Sequence, residues 1–473
     1  METIKYTAIV LGAGPGGYPA GIRLGQLGVK TLVIEREYWG GVCLNVGCIP
    51  SKALITAAKR LEEVTHAESM GIELTGTATM NMTKLQAWKG TVVNRLTGGV
   101  RTLLKGNKVD MAQGEAKFVG PRTLELTKAD GTVTRYEADH VVIATGSRPI
   151  EIPGFSFKDA RVLDSTKGLA LPEIPKSMAV IGGGYIGLEL GGVYAKLGTK
   201  VTVIEMGDQL LPGFDPDVVK LIDRKLRKAG VDIQLKSQAQ GWEDTGTSAL
   251  LRYKTPDGDK TLEADYILVT VGRRPNTDAI GLENVTDNGA ALAMEGRFIR
   301  TDGQLKTSVP GVYAIGDCTT GLMLAHKATH EGEVVAEVIA GHDVYNDVKT
   351  VPAVVFTDPE IATAGLMEHE AKAKGYTVKV GKVPYAAIGR ALTTNETDGF
   401  VKVIADAADN RILGVTIVGS HASDLISECV LAIEMDCELM DVSLSIHPHP
   451  TLGEGVMEAA KAALGEAVHI MNG

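Results

Sequence analysis

One short pattern occurs twice in this chain of 473 residues, and it constrains the fold more than any other feature. An apolar strand leads into the glycine-rich turn 12–17, a helical stretch follows, and a second apolar strand ends at Glu35. The same arrangement returns with the turn 182–187 and Glu205, so that every landmark is displaced by the same 170 residues. We refer to residues 9–35 as the first unit and to residues 179–205 as the second unit.

Each unit has the chemistry of a dinucleotide site. Glycines let the backbone approach a pyrophosphate, the helix N-terminus offers amide donors to it, and the glutamate accepts hydrogen bonds from a ribose. A lone G-x-G-x-x-G is weak evidence, but two copies followed by a glutamate at the same distance disfavour purely structural turns. The sequence therefore predicts an α/β protein with two Rossmann-like dinucleotide-binding domains.

A cysteine pair follows the first unit closely, in the run 40–52. Five positions apart in a regular helix, Cys43 and Cys48 would be too distant for a disulfide, so we expect Cys43 in the glycine-rich turn and Cys48 at a helix entrance. The helix dipole would stabilise a Cys48 thiolate. Two buried thiols or a structural disulfide are the alternative. A redox pair here predicts a flavin in the first unit and a nicotinamide in the second, where Glu205 disfavours the 2′-phosphate of NADP.

Composition argues against several other classes of protein. The net charge of −10 disfavours a general nucleic-acid binder, and the three scattered remaining cysteines disfavour a secreted disulfide framework. The N-terminus has no signal-peptide pattern and no apolar run is expected to span a bilayer, which predicts a cytoplasmic or matrix-like reducing compartment. No second Cys or His pair has zinc-ligand spacing, so no metal is expected.

Five motifs together resemble the pyridine nucleotide-disulfide oxidoreductases, and the likeness covers essentially the full length of the chain. The motifs span residues 40–52, 144–149, 270–276, 313–317 and 447–454. Within that family the likeness is strongest to the NAD-dependent members that reoxidise dihydrolipoyl groups, the E3 components of the 2-oxo acid dehydrogenase complexes. The resemblance implies FAD and NAD as cofactors.

The resemblance also implies roles for individual residues. Cys43 would exchange with the lipoyl dithiol, Cys48 would lie against the flavin, and Lys52, paired with Glu189, would approach the flavin N5 region. The residues expected to contact FAD are Gly12, Gly14, Gly17, Glu35, Gly41, Lys52, Ala116, Thr145, Gly146, Ser147, Asp317 and Ala325, the last at the start of a helix. Those expected to contact NAD are Gly182, Gly184, Tyr185, Gly187, Glu205 and Gly272.

A histidine and a carboxylate near the C-terminus form the other chemical pair. A dithiol attacks a disulfide efficiently only after one thiol loses a proton, and an imidazole oriented by a carboxylate removes it near neutral pH. The family pattern His-Pro-Thr-x-x-Glu selects His449 and Glu454 as this pair rather than His447. Pro448 departs from the family, in which alanine is more usual there. Two ordinary surface residues are the alternative.

Other residues that resemble functional groups are predicted to be structural. Cys318 follows the flavin motif but is expected to be a buried packing thiol. Cys429 and Cys437 lie in an apolar stretch predicted to be helical, and belong to a core or an interface. His326 and His330 share one helical face, which superficially suggests a metal, but no third ligand is evident.

Four domains are expected along the chain. They are a FAD-binding domain with the redox pair at 1–149, an NAD-binding domain at 150–277, a central domain completing the FAD site at 278–348, and an α+β dimerisation domain at 349–473. The last would contain an antiparallel hairpin between 400–404 and 412–418 and helices near 423–436 and 453–464. By resemblance the chain forms a homodimer, and the His449–Glu454 pair serves the active site of the other subunit.

The resemblance implies partners as well: lipoyl domains and the E2 core of a 2-oxo acid dehydrogenase complex, or the H protein of glycine cleavage, with no nucleic acid and no membrane. Glutathione-type reductases are the strongest rival, and Glu205 opposes their NADP. Mercuric reductase would need a C-terminal cysteine pair, which residues 468–473 lack. A redox-silent interaction subunit is the alternative from another class, and the intact cysteine and His449–Glu454 pairs oppose it.

Overall fold

The computed structural model describes residues 3–472. Met1, Glu2 and Gly473, and with them the outer limits of the first and last expected domains, lie outside the described residues. Within residues 3–472, three large β-sheets organise the chain, and each is covered by helices. Two of the sheets contain the glycine-rich units, which confirms the predicted α/β class.

The first sheet has seven strands, six of them from the first third of the chain. These six are β1 (Thr3–Leu11), β2 (Thr31–Glu35), β3 (Asp110–Gln113), β4 (Glu115–Gly120), β5 (Thr123–Thr127) and β6 (Val133–Ile143). The helices of this segment are α1 (Gly17–Gln26), α2 (Gly41–Val46), α3 (Cys48–Thr65) and α4 (Met82–Gly106), with a 3-10 turn at Ala67–Met70. The order is β3-β2-β1-β6-β5-β4, with β1, β2, β3 and β6 parallel.

The second sheet is parallel throughout. Two short strands, one before it in the chain and one after it, pair with each other. The segment of this sheet begins with β7 (Ser147–Pro149), β8 (Val162–Leu163), α5 (Ser165–Gly168), β9 (Ser177–Ile181), α6 (Tyr185–Lys196), β10 (Lys200–Ile204), α7 (Pro216–Lys228) and β11 (Asp232–Gln234). It continues with β12 (Gln238–Asp244), β13 (Ala249–Thr255), β14 (Gly258–Ala264), β15 (Tyr266–Val269) and β16 (Arg273–Pro275). The sheet order is β11-β10-β9-β15-β8, and β12-β13-β14 form a separate antiparallel sheet.

The strand that enters this segment pairs with the strand that leaves it. β7 and β16 are antiparallel, with Arg148 opposite Arg274. The two crossings between the first and second sheets therefore lie side by side.

After β16 the chain returns to the first sheet. Two small hairpins, β17 (Thr286–Asp287) with β18 (Ala290–Ala291) and β19 (Met294–Glu295) with β20 (Phe298–Ile299), precede β21 (Val312–Ala314) and α8 (Ala325–Ile339). Short 3-10 turns lie at Leu282–Asn284 and Gly316–Cys318. β21 pairs in parallel with the end of β6, which brings the 313–317 motif next to the first unit.

The third sheet is antiparallel and lies in the last quarter of the chain. Its strands are β22 (Ala353–Val355), β23 (Glu360–Gly365), β24 (Val378–Pro384), β25 (Phe400–Asp406) and β26 (Ile412–Gly419), in the order β22-β23-β26-β25-β24. The helices are α9 (Glu368–Ala373), α10 (Gly389–Thr393), α11 (Ala422–Glu434), α12 (Leu439–Leu444) and α13 (Glu454–Leu464), with a 3-10 turn at Tyr385–Ala387. The predicted β25–β26 hairpin and both predicted helices are confirmed.

One segment differs from the expectation that no apolar run could span a bilayer. By length and composition alone, the helical stretch Gly41–Thr65 passes that test, with a mean hydropathy of 1.3. Here it is interrupted at Gly47, and Leu54 and Ala58 pack in a large apolar core with α6 residues. This stretch is the redox segment of the fold.

Close packing of α1 against α8 supports the first glycine-rich turn. A Cβ atom on Gly332 of α8 would lie 2.4 Å from the Gly16 carbonyl oxygen and 3.2 Å from the Ala20 nitrogen. Only a glycine allows this approach without displacement of one helix.

We expect Gly332→Ala to destabilise the protein by about 1–3 kcal/mol, because its methyl group overpacks the helix contact. Thermal unfolding measures this as a lowered midpoint. The matched control is Gly192→Ala on α6, where an added Cβ has no neighbour within 4 Å. It should be neutral or stabilising by about 0.5–1 kcal/mol through helix propensity. Equal effects of the two substitutions would contradict the packing argument.

Candidate active site

The redox pair spans a break between two helices. Gly40 and Gly41, with φ values of +89° and +65°, form the turn, and Cys43 already lies inside α2. The expectation that Cys43 sits in the glycine-rich turn is therefore wrong, because the turn is completed two residues earlier. Cys48 is the first residue of α3, as predicted. The break at Gly47, rather than the glycine-rich turn, allows thiols five positions apart to meet.

The two thiols are electrostatically unequal. A hydrogen bond to Cys48, together with burial, raises the pKa of Cys43. A hydrogen bond from the Cys43 thiol, helped by the Lys52 ammonium, lowers the pKa of Cys48 to about 7, against the effect of burial. Cys48 is the member that ionises, which is the behaviour expected of the thiol nearer a helix N-terminus.

An ion pair between a partly exposed lysine and a buried glutamate lies one turn into α3. Lys52 Nζ is 2.9 Å from Glu189 Oε2 on α6, as the resemblance implies, and only 6% of the Glu189 side chain is exposed. The other oxygen, Oε1, accepts a hydrogen bond of 2.9 Å from the Phe356 amide. The Lys52 ammonium also lies 4.3 Å from the centre of the Phe356 ring. Phe356 is a site residue that the sequence reasoning missed, since nothing local marks it.

The first unit has the shape of a dinucleotide cradle. A Cβ on Gly12 would lie 2.3 Å from the Ala144 oxygen, and a Cβ on Gly17 would lie 1.8 Å from the Gly12 oxygen. A Cβ on Gly41 would lie 2.4 Å from the Gly14 Cα. These glycines leave bare backbone at the carboxyl end of β1, where a pyrophosphate binds in such sheets.

Glu35 lies at the rim of this cradle. Its Oε2 accepts a 2.7 Å hydrogen bond from the Ala13 amide, and Oε1 accepts one of 2.8 Å from the Glu37 amide. Ala116 lies nearby on β4, two residues after Gly114, whose amide donates to the Glu35 carbonyl. The residues present therefore fit the adenosine half of FAD.

The 144–149 and 313–317 motifs meet at Ser147. Its hydroxyl donates to Asp317 Oδ2 at 2.5 Å and accepts a 2.8 Å hydrogen bond from Arg273 Nε. Asn276 is joined to Thr145 by two hydrogen bonds, of 2.8 and 2.9 Å. Sequence reasoning used the 270–276 motif for the resemblance but gave Arg273 and Asn276 no role. Their hydrogen bonds hold the 270–276 motif against the 144–149 motif.

A second buried carboxylate supports the flavin motif. Glu331, 3% exposed, accepts a 2.7 Å hydrogen bond from the Gly316 amide and lies 2.6 Å from Lys327 Nζ. Helix α8 begins at Ala325, as predicted, so its first amides point away from the body of the helix next to Asp317. Glu331 was missed because its partner lies fifteen residues earlier in an irregular turn.

The second unit reproduces the first in detail. The Gly183 amide donates to Glu205 Oε2 at 2.6 Å, as the Ala13 amide does to Glu35. The Gly207 amide donates to Glu205 Oε1, also at 2.6 Å. A Cβ on Gly187 would lie 2.3 Å from the Gly182 oxygen, and Gly272 has a φ of +128°. Gly184 and the partly exposed Tyr185 begin α6, so this unit fits a second dinucleotide.

His449 and Glu454 form the predicted pair. The Nδ1 atom of His449 lies 2.9 Å from Glu454 Oε1, while Oε2 accepts a 2.9 Å hydrogen bond from the Thr451 amide. Burial acts to raise the pKa of Glu454, but these hydrogen bonds hold it below its usual range. The His449 side chain is 77% exposed. In the part of the chain that the structure describes, no hydrogen bond joins it to either redox cysteine.

His447 is occupied elsewhere. Its Nε2 lies 2.8 Å from Glu428 Oε1, its Nδ1 lies 2.9 Å from the Ser445 carbonyl, and only 8% of the side chain is exposed. With both ring nitrogens engaged, His447 lacks a free atom for proton transfer. The geometry therefore favours His449 as the base.

The remaining polar candidates have structural surroundings. Cys318 is fully buried, and burial raises its pKa to about 12. Cys429 is buried in α11, whereas Cys437 lies in the turn after that helix, which ends at Glu434, so its predicted helical position is wrong. His326 Nε2 lies 2.7 Å from the Pro352 carbonyl. Within residues 3–472, no cluster of three or more His, Cys, Asp or Glu side chains could hold a metal.

Comparisons with known proteins agree with this geometry. Residues 6–332 match the family model of the pyridine nucleotide-disulphide oxidoreductases, and residues 351–460 match the model of that family's dimerisation domain. The dihydrolipoyl dehydrogenase of Geobacillus stearothermophilus is 50% identical over 468 residues, which cover 99% of this chain and 98% of the relative. That of Bacillus subtilis strain 168 is 49% identical over 469 residues, with the same coverage.

Solved structures show the same architecture. LpdA from Mycobacterium tuberculosis matches with a TM-score of 0.88 at 28% identity, over 96% of this chain and 99% of the other. The flavoprotein disulfide reductase RclA from Escherichia coli matches with a TM-score of 0.86 at 27% identity, over 98% of this chain and 99% of the other. Because one family model spans most of the chain and relatives are half identical over its length, the chain belongs to the pyridine nucleotide-disulphide oxidoreductase family, and it is a disulfide oxidoreductase that uses FAD and NAD.

Proposed function

We propose that this chain oxidises dihydrolipoyl groups with NAD⁺ through the Cys43–Cys48 pair and FAD. The observation that carries the proposal is the thiol pair across the helix break at Gly47, with Cys48 at the first residue of α3 and the Lys52–Glu189 ion pair one turn further on. Glu205 at the second ribose position supports NAD over NADP. The name of the relatives at 50% and 49% identity, dihydrolipoyl dehydrogenase, supports the lipoyl substrate.

The proposed domains follow the sheets. Residues 1–149 form the FAD-binding domain, 150–277 the NAD-binding domain, 278–348 the central domain that completes the FAD site, and 349–473 the dimerisation domain. The return of β21 to the first sheet supports a shared FAD site. The FAD and NAD contact residues given above belong to the same proposal.

The dithiol step uses only protein side chains. His449 removes a proton from one thiol of the dihydrolipoyl group, and the thiolate attacks the Cys43 sulfur of the oxidised pair, which releases Cys48 as a thiolate. The second lipoyl thiol then attacks the lipoyl sulfur of the mixed disulfide and displaces Cys43, and its proton ends on the departing Cys43 sulfur. The lipoyl disulfide closes, and the reduced pair is left as a Cys43 thiol and a Cys48 thiolate. Glu454 orients the imidazole and stabilises its charged form. The first glycine turn, Glu35, Lys52 and Asp317 would hold FAD, and a bound flavin would supply electron transfer between the reduced thiols and NAD⁺.

The chain acts as a homodimer in this proposal, and His449 of one subunit serves the cysteines of the other. The match to a dimerisation domain supports the dimer. The 77% exposure of His449 supports a function across subunits, since its outward nitrogen is free to approach a second chain. Lipoyl domains and the E2 core of a 2-oxo acid dehydrogenase complex, or the glycine cleavage H protein, are the proposed partners, in the cytoplasm of the cell.

The first experiment compares two reactions of the purified flavoprotein. We expect rapid NAD⁺ reduction by dihydrolipoamide and negligible oxidation of NADPH by glutathione disulfide. The reason is that Glu205 repels the NADP phosphate. Activity only in the second reaction would assign the chain to the glutathione-type reductases. Silence in both, with flavin bound, would favour an interaction subunit.

The ionisation of Cys48 is measurable by alkylation of the reduced enzyme. We expect its rate to rise about tenfold per pH unit below pH 7 and to level off above, because only the thiolate reacts. Lys52→Met should move the midpoint to higher pH, since the nearby positive charge is lost. Lys59→Met is the control on the same helix, because its partner is Glu396. A midpoint at the ordinary thiol value in the unmodified protein would contradict the assignment.

We expect His449→Gln to slow dihydrolipoamide oxidation by about 10²- to 10⁴-fold while FAD remains bound, since general base catalysis contributes on that order. Steady-state kinetics with dihydrolipoamide and NAD⁺ provide the measurement. His447→Gln is the matched control and should change the rate little, because the His447 side chain is 8% exposed and hydrogen-bonded to Glu428. The reverse ranking would make His447 the base.

Mixed dimers test whether the base acts across subunits. Dimers with one Cys48→Ser chain and one His449→Gln chain have one intact site if the histidine serves the opposite cysteines, and none if it serves its own. A random mixture of the two variants should then recover about a quarter of the unmodified activity. No recovery after confirmed subunit exchange would place each base with its own cysteines.

A further inference from the structure

An unusual buried lysine lies outside the site described above. Lys402, in the middle of β25, is 2% exposed, and no other lysine of residues 3–472 is buried to this degree. Directly opposite it on β24 is Lys382. Two like charges facing each other across a strand pair repel, and a buried ammonium is costly unless it is paired. A compensating group must therefore come from outside the sheet.

The compensation comes from the start of α7. Lys402 Nζ lies 2.7 Å from Asp215 Oδ2 and 3.1 Å from both oxygens of Asp217, and Lys382 Nζ lies 2.7 Å from Asp217 Oδ2. Nδ1 of His369 lies 2.7 Å from Asp215 Oδ1. Although burial acts to lower the pKa of Lys402, the aspartates raise it, so the lysine stays charged. Two lysines of the third sheet thus bind the start of α7, which follows the second unit in the chain.

Asp215 is not used as an ordinary helix cap. It precedes the first residue of α7, Pro216, but no side-chain capping hydrogen bond is made to its own helix. Its carboxylate, 4% exposed, is directed instead to Lys402 and His369 of the C-terminal segment. A side chain at the N-cap position commonly accepts a hydrogen bond from its own helix. Here the N-cap residue Asp215 instead joins α7 to the C-terminal segment.

The residues just before Asp215 connect it to Glu205 at the second ribose site. Between Glu205 and Asp215 the chain forms a short arm in which Leu210 and Leu211 are buried. The Leu211 amide donates to the Gly183 carbonyl at 2.9 Å, and the Gly183 amide donates to Glu205 at 2.6 Å. A displacement of Asp215 therefore moves residues that contact the glycine turn and the ribose glutamate.

We propose that Lys402 is a positioning residue for NAD, which acts through Asp215 and the arm 206–214 to hold Glu205 and the second glycine turn in their binding geometry. This inference rests on the assignment of NAD to the second unit proposed above. Loss of the lysine leaves Lys382 on Asp217 but removes the buried ammonium that Asp215 faces, so that His369 is the remaining side-chain partner of that carboxylate. Removal of one partner of a buried ion pair is strongly destabilising. The nearest group that can relax is the start of α7 with its attached arm.

The test measures nucleotide binding apart from redox turnover. ADP-ribose contains the adenosine ribose that Glu205 would contact but no nicotinamide, so calorimetric titration of the flavoprotein reports on this site alone. We expect Lys402→Met to raise the dissociation constant of ADP-ribose and the KM for NAD⁺ by about tenfold, as is usual for coupling within one network. The KM for dihydrolipoamide and the rate of thiol reduction without NAD⁺ should stay unchanged.

Two further variants serve as references. Lys225→Met removes an ion pair with Asp398 farther along α7, which has no connection to the arm, and should leave nucleotide affinity unchanged. Glu205→Ala acts at the ribose position itself and should weaken ADP-ribose binding. If Glu205→Ala weakens binding and Lys402→Met does not, the positioning role is refuted while the proposed function stands. If neither does, the assignment of NAD to the second unit is wrong and the inference falls with it.

If Lys402→Met does not fold, a second variant tests the same inference. Asp215→Asn conserves shape and leaves Lys402 paired with Asp217, so the protein should remain folded. A weakened affinity for ADP-ribose in Asp215→Asn with unchanged thiol reduction would support the inference, and an unchanged affinity would overturn it.

Discussion

One buried carboxylate holds three distant parts of the chain around the redox segment. Glu189, on the helix of the second unit, pairs with Lys52 of α3 and also accepts the Phe356 amide from the start of the third sheet. A buried carboxylate left without either partner would be costly, so the contacts are coupled. Lys52 lies four residues after Cys48, so this carboxylate anchors the first turn of the helix that begins with the cysteine.

Features encoded by nearby residues were predictable from the sequence. The two glycine-rich units and the β25–β26 hairpin follow from patterns over a few residues, and the family resemblance implied the start of α8 near Ala325. The pairing of His449 with Glu454 is likewise local, since five positions across a loop and a helix start bring them within 2.9 Å. In such cases the residues that form the contact lie within the same few positions as the sequence motif, so the motif predicts the contact.

Features made by distant residues were not predictable. Glu331, Asn276 and Phe356 contribute hydrogen bonds whose partners are set by tertiary packing, and no spacing rule marks them. The placement of Cys43 failed for a related reason. Helix geometry excludes a disulfide in one regular helix, but it does not say where the helix is interrupted, and the interruption lies at Gly47. The distance limit for a disulfide excluded a single regular helix but did not select the residue at which the helix is interrupted.

The pairing of β7 with β16 has an architectural consequence. β7 enters the segment of the second sheet and lies against β16, which leaves it. Both covalent links between this segment and the rest of the chain therefore lie side by side. The segment is built as an insertion with adjacent ends. Exchange of the whole segment for one that accepts another nucleotide would require only two neighbouring junctions, provided that the replacement also supplies a glutamate for Lys52 and aspartates for the third sheet.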